Sequence, residues 1–204
     1  MRAGFSSKST RPCSFRDAPG KLSAVSGKPN AMVIGKFDTR EYASLVSRAE
    51  RAKTAHQKGQ KLEDLVEYLL GAVPGLEIRA RDFRGPSEEI DLVVWNQTRT
   101  TVFSSWDAMV FVECKNWSSP VGVPEIVVFI DRLRRVGLRN GVLVARNGVT
   151  GSARVDARLL LREALRDGIR IIVITLDELS AIRNLHEFLD LCKEKYCKVF
   201  LSQL

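Results

Sequence analysis

The chain has 204 residues, of which 45% are hydrophobic, and it carries a formal net charge of +8. This length predicts one globular domain with a sizeable core, and no apolar run approaches the ~18 residues that a membrane span needs. Residues 1–30 contain six basic residues and one acidic residue, so residues 31–204 carry only +3. A mildly basic domain is compatible with a nucleic-acid partner, although many soluble proteins are equally basic.

The first 35 residues are rich in Ser, Gly, Pro, Lys and Arg and show almost no periodic apolar signal. They predict a basic, flexible N-terminal arm, which either grips DNA or serves as a plain leader. The arm contains no continuous apolar core, so a secretory signal is not expected. The cysteines form no disulfide or zinc framework, which favours reduced thiols and a cytoplasmic location.

Two helices are predicted before the first strand. Asp38 and Glu41 have the spacing of a capping box and predict a helix that runs to about residue 56. Gly59 is expected to break it, and a second helix is predicted from about residue 60 to residue 71. The apolar face of the second helix comprises Leu62, Leu65, Val66, Leu69 and Leu70.

Three acidic residues of the second helix differ in their position around its axis. Glu63 lies at the edge of the apolar face and is best placed to reach a site at the rim of the core. Glu67 lies slightly farther round and is the second candidate. Asp64 lies on the opposite side.

The remaining sequence predicts strands that alternate with helices. Turn residues and apolar runs predict strands over residues 76–80, 90–95, 109–115, 141–145 and 170–175, with residues 101–103 as an extension of the hairpin. Helices are predicted over residues 125–136 and 153–166, and a capping box at Thr175 and Glu178 predicts a C-terminal helix. Short connections favour antiparallel pairing of the first strands, and helical crossovers add parallel ones. The predicted fold class is therefore α/β, a mixed sheet flanked by helices.

Asp91 and the triplet Glu113-Cys114-Lys115 are the strongest chemical signal. Each lies in an apolar run that predicts a strand, and alternation puts Glu113 and Lys115 on one face, with Cys114 on the other. Charges at the end of a buried strand are costly unless something compensates them. Two carboxylates and an ammonium group suit a Mg²⁺-dependent phosphodiesterase, because carboxylate oxygens hold the hard cation and the lysine orients or activates a water. A cross-strand ion pair is the structural alternative.

These segments resemble the PD-(D/E)xK nuclease superfamily, and more closely its Mrr-like restriction endonuclease domains. The resemblance covers about residues 58–179. It rests on Gly59-x-x-x-Glu63, Glu89-Ile90-Asp91, Phe111-Val112-Glu113-Cys114-Lys115-Asn116-Trp117, Gly141-Val142-Leu143-Val144 and Asn147-Gly148-Val149-Thr150-Gly151. It implies a restriction-endonuclease-like αβββαβ core that binds Mg²⁺, for which Mn²⁺ is expected to substitute, and that cuts nucleic acid.

The resemblance also implies a role for each residue of the predicted site. Asp91, Glu113 and the backbone carbonyl of Cys114 would ligate the metal. Lys115 would be the catalytic base or orient the water, and Glu63 would support the metal site. Lys115 adds a positive charge at the site and can lose a proton if burial and the nearby metal lower its pKa.

Two positions depart from the family pattern. Many Mrr-like domains have Gln at the position of Glu113. The glutamate of this chain favours metal binding. Ser87-Glu88-Glu89 replaces a Gly-rich turn before Asp91. By alternation Glu89 shares the face of Asp91, so it either assists the site or lies in solvent.

Several other side chains are candidates for contacts with nucleic acid. The first group lies on the helix after the triplet and comprises Arg132, Arg134 and Arg135. The second group recurs every four residues on the next helix and comprises Arg154, Arg158 and Arg162. A phosphate-contacting row and a solvated arginine face are both compatible with this spacing. Trp117 either stacks on a base or packs under a loop.

The leading interpretation is a Mg²⁺-dependent DNA endonuclease in restriction or another defence role. Residues 36–180 would form the nuclease domain and residues 181–204 a C-terminal helical extension. No sequence-reading module is evident, so specificity is expected from a partner subunit, from self-association or from DNA structure. The alternatives are a non-cleaving nuclease-fold DNA-binding or scaffold subunit, and a repair, structure-specific or RNA nuclease.

A homodimer or larger assembly is expected because cutting both strands of DNA needs two sites. The C-terminal helix carries an apolar surface that would either serve this contact or cover the sheet. Its members are Ile182, Leu185, Phe188 and Leu189.

Overall fold

The computed structural model describes residues 37–85, 89–151 and 156–201. The helices of these ranges are α1 (Thr39–Arg51), α2 (Ala55–Ala72), α3 (Val123–Val136), α4 (Ala157–Arg166), α5 (Leu176–Ser180) and α6 (Leu185–Leu201). The strands are β1 (Leu76–Arg84), β2 (Glu89–Asn96), β3 (Met109–Lys115), β4 (Asn140–Ala145) and β5 (Arg170–Ile174). No helix in the described ranges is both long and apolar enough to cross a membrane. The predicted N-terminal arm lies outside the described residues.

The five strands form one mixed sheet in the order β1-β2-β3-β4-β5. β1 pairs with β2 and β2 with β3 in antiparallel register, whereas β3, β4 and β5 are parallel. The parallel strands are joined through α3 and α4, as expected for helical crossovers. The predicted α/β class with a mixed, helix-flanked sheet is confirmed.

Apolar side chains cover both faces of the sheet. One core contains residues of α1, α2, α5 and α6 packed on Leu92, Val112 and Val144. The five residues of the apolar face predicted for α2 belong to it, and none is more than 3% exposed. Each contributes roughly 1.5–3 kcal/mol through burial. The second core packs α3 and α4 on the opposite face, around Phe111 and Leu143.

The corner between α1 and α2 lies earlier than predicted. α1 begins after Asp38, whose carboxylate accepts hydrogen bonds from the backbone N–H groups of Arg40 and Glu41 at 2.8 and 2.9 Å. It ends at Arg51, because the Thr54 hydroxyl caps α2 by accepting from the backbone N–H of Gln57 at 3.2 Å. The predicted helix to residue 56 was therefore wrong in extent, and Gly59 lies inside α2.

Three further predictions of element type or extent were wrong. β1 continues beyond Ala80 to Arg84, with an irregular register between Ile78 and Ala80. Residues 102–105 form a 3₁₀ helix instead of extending the hairpin, because the Thr101 hydroxyl caps the turn and Phe103 is buried in the core. The helix predicted from residue 153 begins at Ala157.

The predicted C-terminal helix is in fact two helices. Thr175 and Glu178 form the expected capping box, but α5 ends at Ser180 and α6 begins at Leu185. Ile182 and Phe188 are buried in the core that α1, α2, α5 and α6 form with the sheet. Leu185 and Leu189 pack against that core. This apolar surface therefore helps to cover the sheet, and the homodimer stays a prediction.

Candidate active site

The antiparallel strands β2 and β3 separate at the end that carries Asp91. Their backbone pairing ends at Leu92 and Val112. The Asp91 carboxylate continues it by accepting a hydrogen bond from the backbone N–H of Cys114 at 2.6 Å. A short bond to a charged acceptor is stronger than a neutral one, so it fixes Asp91 beside the predicted triplet.

Glu113 lies between two cations. Its Oε1 is 2.5 Å from Lys115 Nζ and its Oε2 is 2.8 Å from Arg132 Nη1. The Glu113 side chain is only 9% exposed, and those of Lys115 and Arg132 are 21% and 18% exposed. Strand alternation places Glu113 and Lys115 on one face as predicted, and Arg132 reaches them from α3. Burial of a carboxylate is tolerated here because both of its oxygens are paired.

Glu63 lies at the predicted rim of the core and is 7% exposed. Arg81, on β1, binds it at 3.2 Å and also binds Asp64 at 2.7 Å and Glu67 at 3.0 Å. The same guanidinium donates to the backbone carbonyl of Gln60 at 3.1 Å. Arg81 therefore joins all three acidic residues of α2 to the sheet, including Asp64, which was predicted to point away.

Asp82 adds another carboxylate near Asp91. The register pairs Arg81 with Leu92 and Phe83 with Ile90, so Asp82 lies level with Asp91. Its φ is 49°, and it is the non-glycine residue of the described ranges with a positive φ. Asp tolerates this left-handed conformation better than most residues do.

The crowded carboxylates alter each other's ionisation. Burial, with Asp82 and Asp91 nearby, raises the pKa of Glu63 to about 7, against the opposing effect of Arg81. Burial and the adjacent Glu113 raise the pKa of Asp91 to about 6. Burial opposes the charge of Lys115, but Glu113 and Asp91 outweigh it and raise the pKa of its ammonium group. Lys115 is therefore a cation beside Glu113 in this site.

Some of these side chains line an open cleft of about 540 Å³. Its wall includes Glu63, Asp91 and Lys115, together with the backbone of Cys114 and the exposed ring of Trp117. The Cys114 thiol itself is buried among apolar residues, and burial raises its pKa well above the ordinary value. The thiol therefore does not serve the site, and the predicted metal ligation by Cys114 depends on its backbone carbonyl.

The loop after β3 is held by the loop after β4. Arg146 N donates to the carbonyl of Lys115 at 2.8 Å, and the Asn147 side chain donates to the carbonyl of Trp117 at 2.7 Å. Gly148, with φ of 67°, completes the turn at a conformation that favours glycine. The Lys115 ammonium lies 5.9 Å from the Trp117 ring centroid, within cation–π range. Trp117 is 41% exposed, so it does not pack under a loop.

The donor set fits a hard divalent cation. The carboxylates of Glu63, Asp91 and Glu113 supply oxygen ligands, which Mg²⁺ prefers. Among the described residues no three His, Cys, Asp or Glu side chains are arranged to hold a metal ion. Glu113 is instead paired with Lys115 and Arg132, so its ligation of a metal requires at least one of these contacts to open.

Comparison with protein families gives a match over most of this fold. A family model described as restriction endonuclease, Mrr_cat, matches residues 54–182, which is more than half of the chain. The chain belongs to this family. The match extends from the N-cap of α2 to Ile182, so α1 precedes the Mrr_cat region.

Three solved structures share part of the fold. EndoMS, in a complex titled EndoMS-dsDNA2, is 16% identical, with a TM-score of 0.39 over 61% of this chain and 46% of that chain. Pyrococcus furiosus SfsA, in complex with Ca²⁺, is 22% identical, with a TM-score of 0.35 over 58% and 56%. The DNA modification-dependent restriction endonuclease AspBHI is 20% identical, with a TM-score of 0.39 over 81% and 41%. This chain thus spans about half the length of each. No curated protein sequence matches significantly.

The other predicted site residues lie in different surroundings. Glu89 lines the cleft but pairs with Arg84 at 3.0 Å. Arg135 pairs with Asp131 at 2.6 Å on the outer part of α3, and Arg134 pairs with Asp167. Arg158 and Arg162 are exposed on α4, whereas Arg154 lies outside the described residues. Their contacts with nucleic acid stay predictions.

Three residues of this region were not predicted from the sequence: Arg81, Asp82 and Asn116. The first two were placed beyond the end of β1, although pairing with the full length of β2 would have brought them level with Asp91. Asn116 is 3% exposed and donates to the carbonyls of Ala49 and Lys58 at 3.1 and 2.9 Å. These partners are remote in sequence, so no local pattern indicated them.

Replacing Asn116 with alanine is expected to lower the free energy of unfolding by about 2–3 kcal/mol. It would leave the buried carbonyl of Ala49 and the partly buried carbonyl of Lys58 without this partner. The Arg146 guanidinium, 3.2 Å from Asn116 Oδ1, would lose its partner as well. Urea denaturation would measure the loss. Asn147→Ala is the control, since Asn147 is partly exposed and the substitution removes one bond, at an expected cost below about 1 kcal/mol. Equal losses in the two variants would contradict the account.

Divalent cations are expected to stabilise the protein more at alkaline than at acidic pH. Folding raises the pKa values of Asp91 and Glu63 to about 6 and about 7, from ordinary values near 4. These groups therefore favour the folded state below about pH 4, and that contribution is lost as the pH rises through 6 and 7. A bound cation needs both groups ionised.

Melting temperatures with about 10 mM Mg²⁺ or Ca²⁺ test this expectation, because a ligand of the folded state stabilises it. We expect an increase of several degrees at pH 8 and almost none at pH 5. Samples with K⁺ at equal ionic strength are the control. A shift of the same size at both pH values would show that the cation does not bind these carboxylates.

Proposed function

We propose that the protein is a DNA endonuclease that hydrolyses phosphodiester bonds with Mg²⁺ as its cofactor, and that Mn²⁺ can substitute. The observation that carries this proposal is the juxtaposition of Asp91, Glu113 and Lys115 where β2 and β3 separate, in a chain of the restriction endonuclease family. The expected role is restriction or another defence against foreign DNA, which implies action in the cytoplasm.

Glu63, Asp91, Glu113 and the Cys114 carbonyl would hold the metal. When bound, it would polarise a water and offset negative charge on the phosphate. The chain's own residues prepare this site. The backbone N–H of Cys114 holds Asp91 in place, and Lys115 keeps a positive charge beside Glu113, where an approaching phosphate would meet it. Preorganised charges of this kind stabilise the transition state without having to reorient.

Arg132 has a second role in this proposal. In this structure Arg132 Nη1 lies 2.8 Å from Glu113 Oε2 and holds that carboxylate in place. If Glu113 turned to a metal, the guanidinium of Arg132 would become available to a phosphate oxygen, for which its planar donors are suited. Arg132 would thus contact DNA only when Glu113 binds a metal.

A non-cleaving DNA-binding subunit is the second candidate. Two observations favour it. Both carboxylate oxygens of Glu113 are paired with cations. Among the described residues, no three side chains are arranged as ligands of a metal ion. Such a subunit would bind DNA with little response to Mg²⁺. A homodimer or a partner subunit would supply specificity in either case.

Cleavage assays on a panel of substrates test the proposed function. The purified full chain is incubated with supercoiled plasmid, single-stranded DNA or RNA, in Mg²⁺, Mn²⁺ or EDTA. We expect nicking or linearisation of the plasmid in both metals and none in EDTA. Cleavage of RNA alone would contradict a DNA endonuclease, and binding of DNA without any cleavage would favour the second candidate.

A further inference from the structure

The corner between α1 and α2 forms a second cleft, of about 360 Å³, beside the catalytic one. Its lining includes Arg48 and Arg51 from α1 and Gln57 and Lys61 from α2. We propose that this basic cleft, named here the corner groove, binds the sugar-phosphate backbone of the DNA that the catalytic cleft cuts. The inference rests on the proposed function, which it deepens by assigning a DNA-binding surface.

The two arginines of the corner groove are available for a ligand. Arg48 and Arg51 are exposed, and they donate only to serines one turn earlier on α1. Arg48 Nε donates to the carbonyl of Ser44 and Arg51 Nε to the carbonyl of Ser47, each at 3.3 Å. Arg51 also donates to the Ser47 hydroxyl. Neither has a carboxylate partner within the described part of the chain. They are three positions apart, which puts their side chains next to each other on one side of α1. Lys61 contributes less, because Asp64 binds it at 2.8 Å.

The positive charge of the folded chain is concentrated at this corner. Residues 39–61 contain six Lys and Arg residues and two Glu residues, a net charge of +4. Residues 1–30 contribute +5 and residues 31–38 contribute zero, so residues 62–204 carry −1 of the total of +8. The part of the chain that holds the catalytic carboxylates is therefore slightly acidic. The net charge therefore favours attraction of DNA to the corner and to the N-terminal arm.

The corner groove and the catalytic cleft share the first turns of α2. Gln57 and Lys61 face the groove, whereas Lys58 and Gly59 line the catalytic cleft. The end of α1 is also tied to the strand that carries Lys115. Asn116, the next residue, donates to the carbonyl of Ala49, between the two arginines in sequence. A DNA strand that enters the catalytic cleft can therefore continue into the groove over the shared helix.

Arginine is well suited to such a role. Its planar guanidinium donates to two phosphate oxygens at once, and phosphate contacts position DNA without reading its sequence. Because α1 precedes the residues that match the Mrr_cat model, the groove would be an addition that this chain makes to the family domain. It predicts binding that is strong at low salt and similar for unrelated sequences.

The test compares DNA binding by the full chain and by the double variant Arg48→Ala/Arg51→Ala. Fluorescence anisotropy with two unrelated labelled duplexes in EDTA gives Kd at a series of salt concentrations. We expect Kd to increase roughly tenfold or more for both duplexes, and the slope of log K against log salt to become smaller by about 2, since each lost phosphate contact removes about 0.9. Arg48→Lys/Arg51→Lys keeps the charges and should recover most of the slope.

The double variant Arg183→Ala/Lys193→Ala is the matched control. It removes the same charge from exposed positions around α6 that line neither cleft. Thermal melting confirms that each variant is folded. Wild-type affinity and slope in the Arg48/Arg51 variant, or an equal loss in the control, would overturn the proposal. If cleavage occurs, the groove variant should raise KM for DNA and leave kcat nearly unchanged, so failure of the groove and failure of the nuclease proposal are separate results.

Discussion

Replacing Lys115 with methionine is expected to lower the rate of DNA cleavage by roughly a hundred- to a thousandfold while the protein stays folded. The ammonium group of Lys115 lies 2.5 Å from Glu113, and the Lys115 side chain is 21% exposed. The neighbouring carboxylates raise its pKa, so at neutral pH it offers a positive charge to the phosphate. Methionine keeps the length of the side chain and removes that charge.

Initial rates of plasmid nicking by the wild type and by the Lys115→Met variant measure this effect. Lys193→Met, on the exposed side of α6, is the control and should retain the wild-type rate. The Lys115→Arg variant keeps the charge with a different shape, and we expect it to retain part of the activity. A Lys115→Met enzyme within about threefold of the wild type would exclude an electrostatic role of the size expected here.

Replacing Asp91 with asparagine is expected to abolish cleavage and at the same time to stabilise the fold. The substitution removes a proposed metal ligand, and the bound metal would supply several kcal/mol of transition-state stabilisation, or about a thousandfold in rate. The side-chain carbonyl of the introduced asparagine can still accept the hydrogen bond that Cys114 N now donates at 2.6 Å. Repulsion from Glu113, which helps to raise the pKa of Asp91 to about 6, disappears.

The melting temperature measures this stabilisation. We expect a gain of about 1 kcal/mol or more at pH 8, roughly 2–4 °C. The pKa of Asp91 in the folded protein lies above the ordinary value, so the wild type loses stability as the pH rises through 6. The stability advantage of the variant over the wild type should therefore be smaller at pH 5. Asp107→Asn is the contrasting control. Asp107 accepts three hydrogen bonds from Arg139 and Asn140, so its neutralisation should destabilise. A lower melting temperature for Asp91→Asn at pH 8 would contradict the account.

The layered fold was predictable from local patterns in the sequence. The apolar runs that became β3 and β4, and the five-residue face of α2, contain enough periodic signal to predict both element and burial. Short connections and helical crossovers then imply the mixed sheet. The boundaries were harder to predict, because the second N-cap at Thr54 and the 3₁₀ turn after Thr101 depend on single hydroxyl groups.

The candidate site was predictable only in part. Alternation along β3 was enough to put Glu113 and Lys115 on one face, and the edge position of Glu63 on α2 brought it to the cleft. The contacts of Arg132 with Glu113 and of Arg81 with Glu63 join residues that are 19 and 18 positions apart. Such pairings depend on the packing of helices on the sheet, which no local pattern specifies. The raised pKa values of Asp91 and Glu63 follow from the same packing.

The most direct test of the central claim compares wild type and Glu113→Gln for cleavage of supercoiled plasmid in Mg²⁺ and in EDTA. Glutamine keeps the shape of the side chain but removes the charge that Lys115 and Arg132 now share. The account predicts nicking or linearisation by the wild type in Mg²⁺ alone, and a loss of about a thousandfold in the variant. Equal cleavage by the two proteins, or wild-type cleavage that persists in EDTA, would contradict a metal-dependent nuclease site at Asp91 and Glu113.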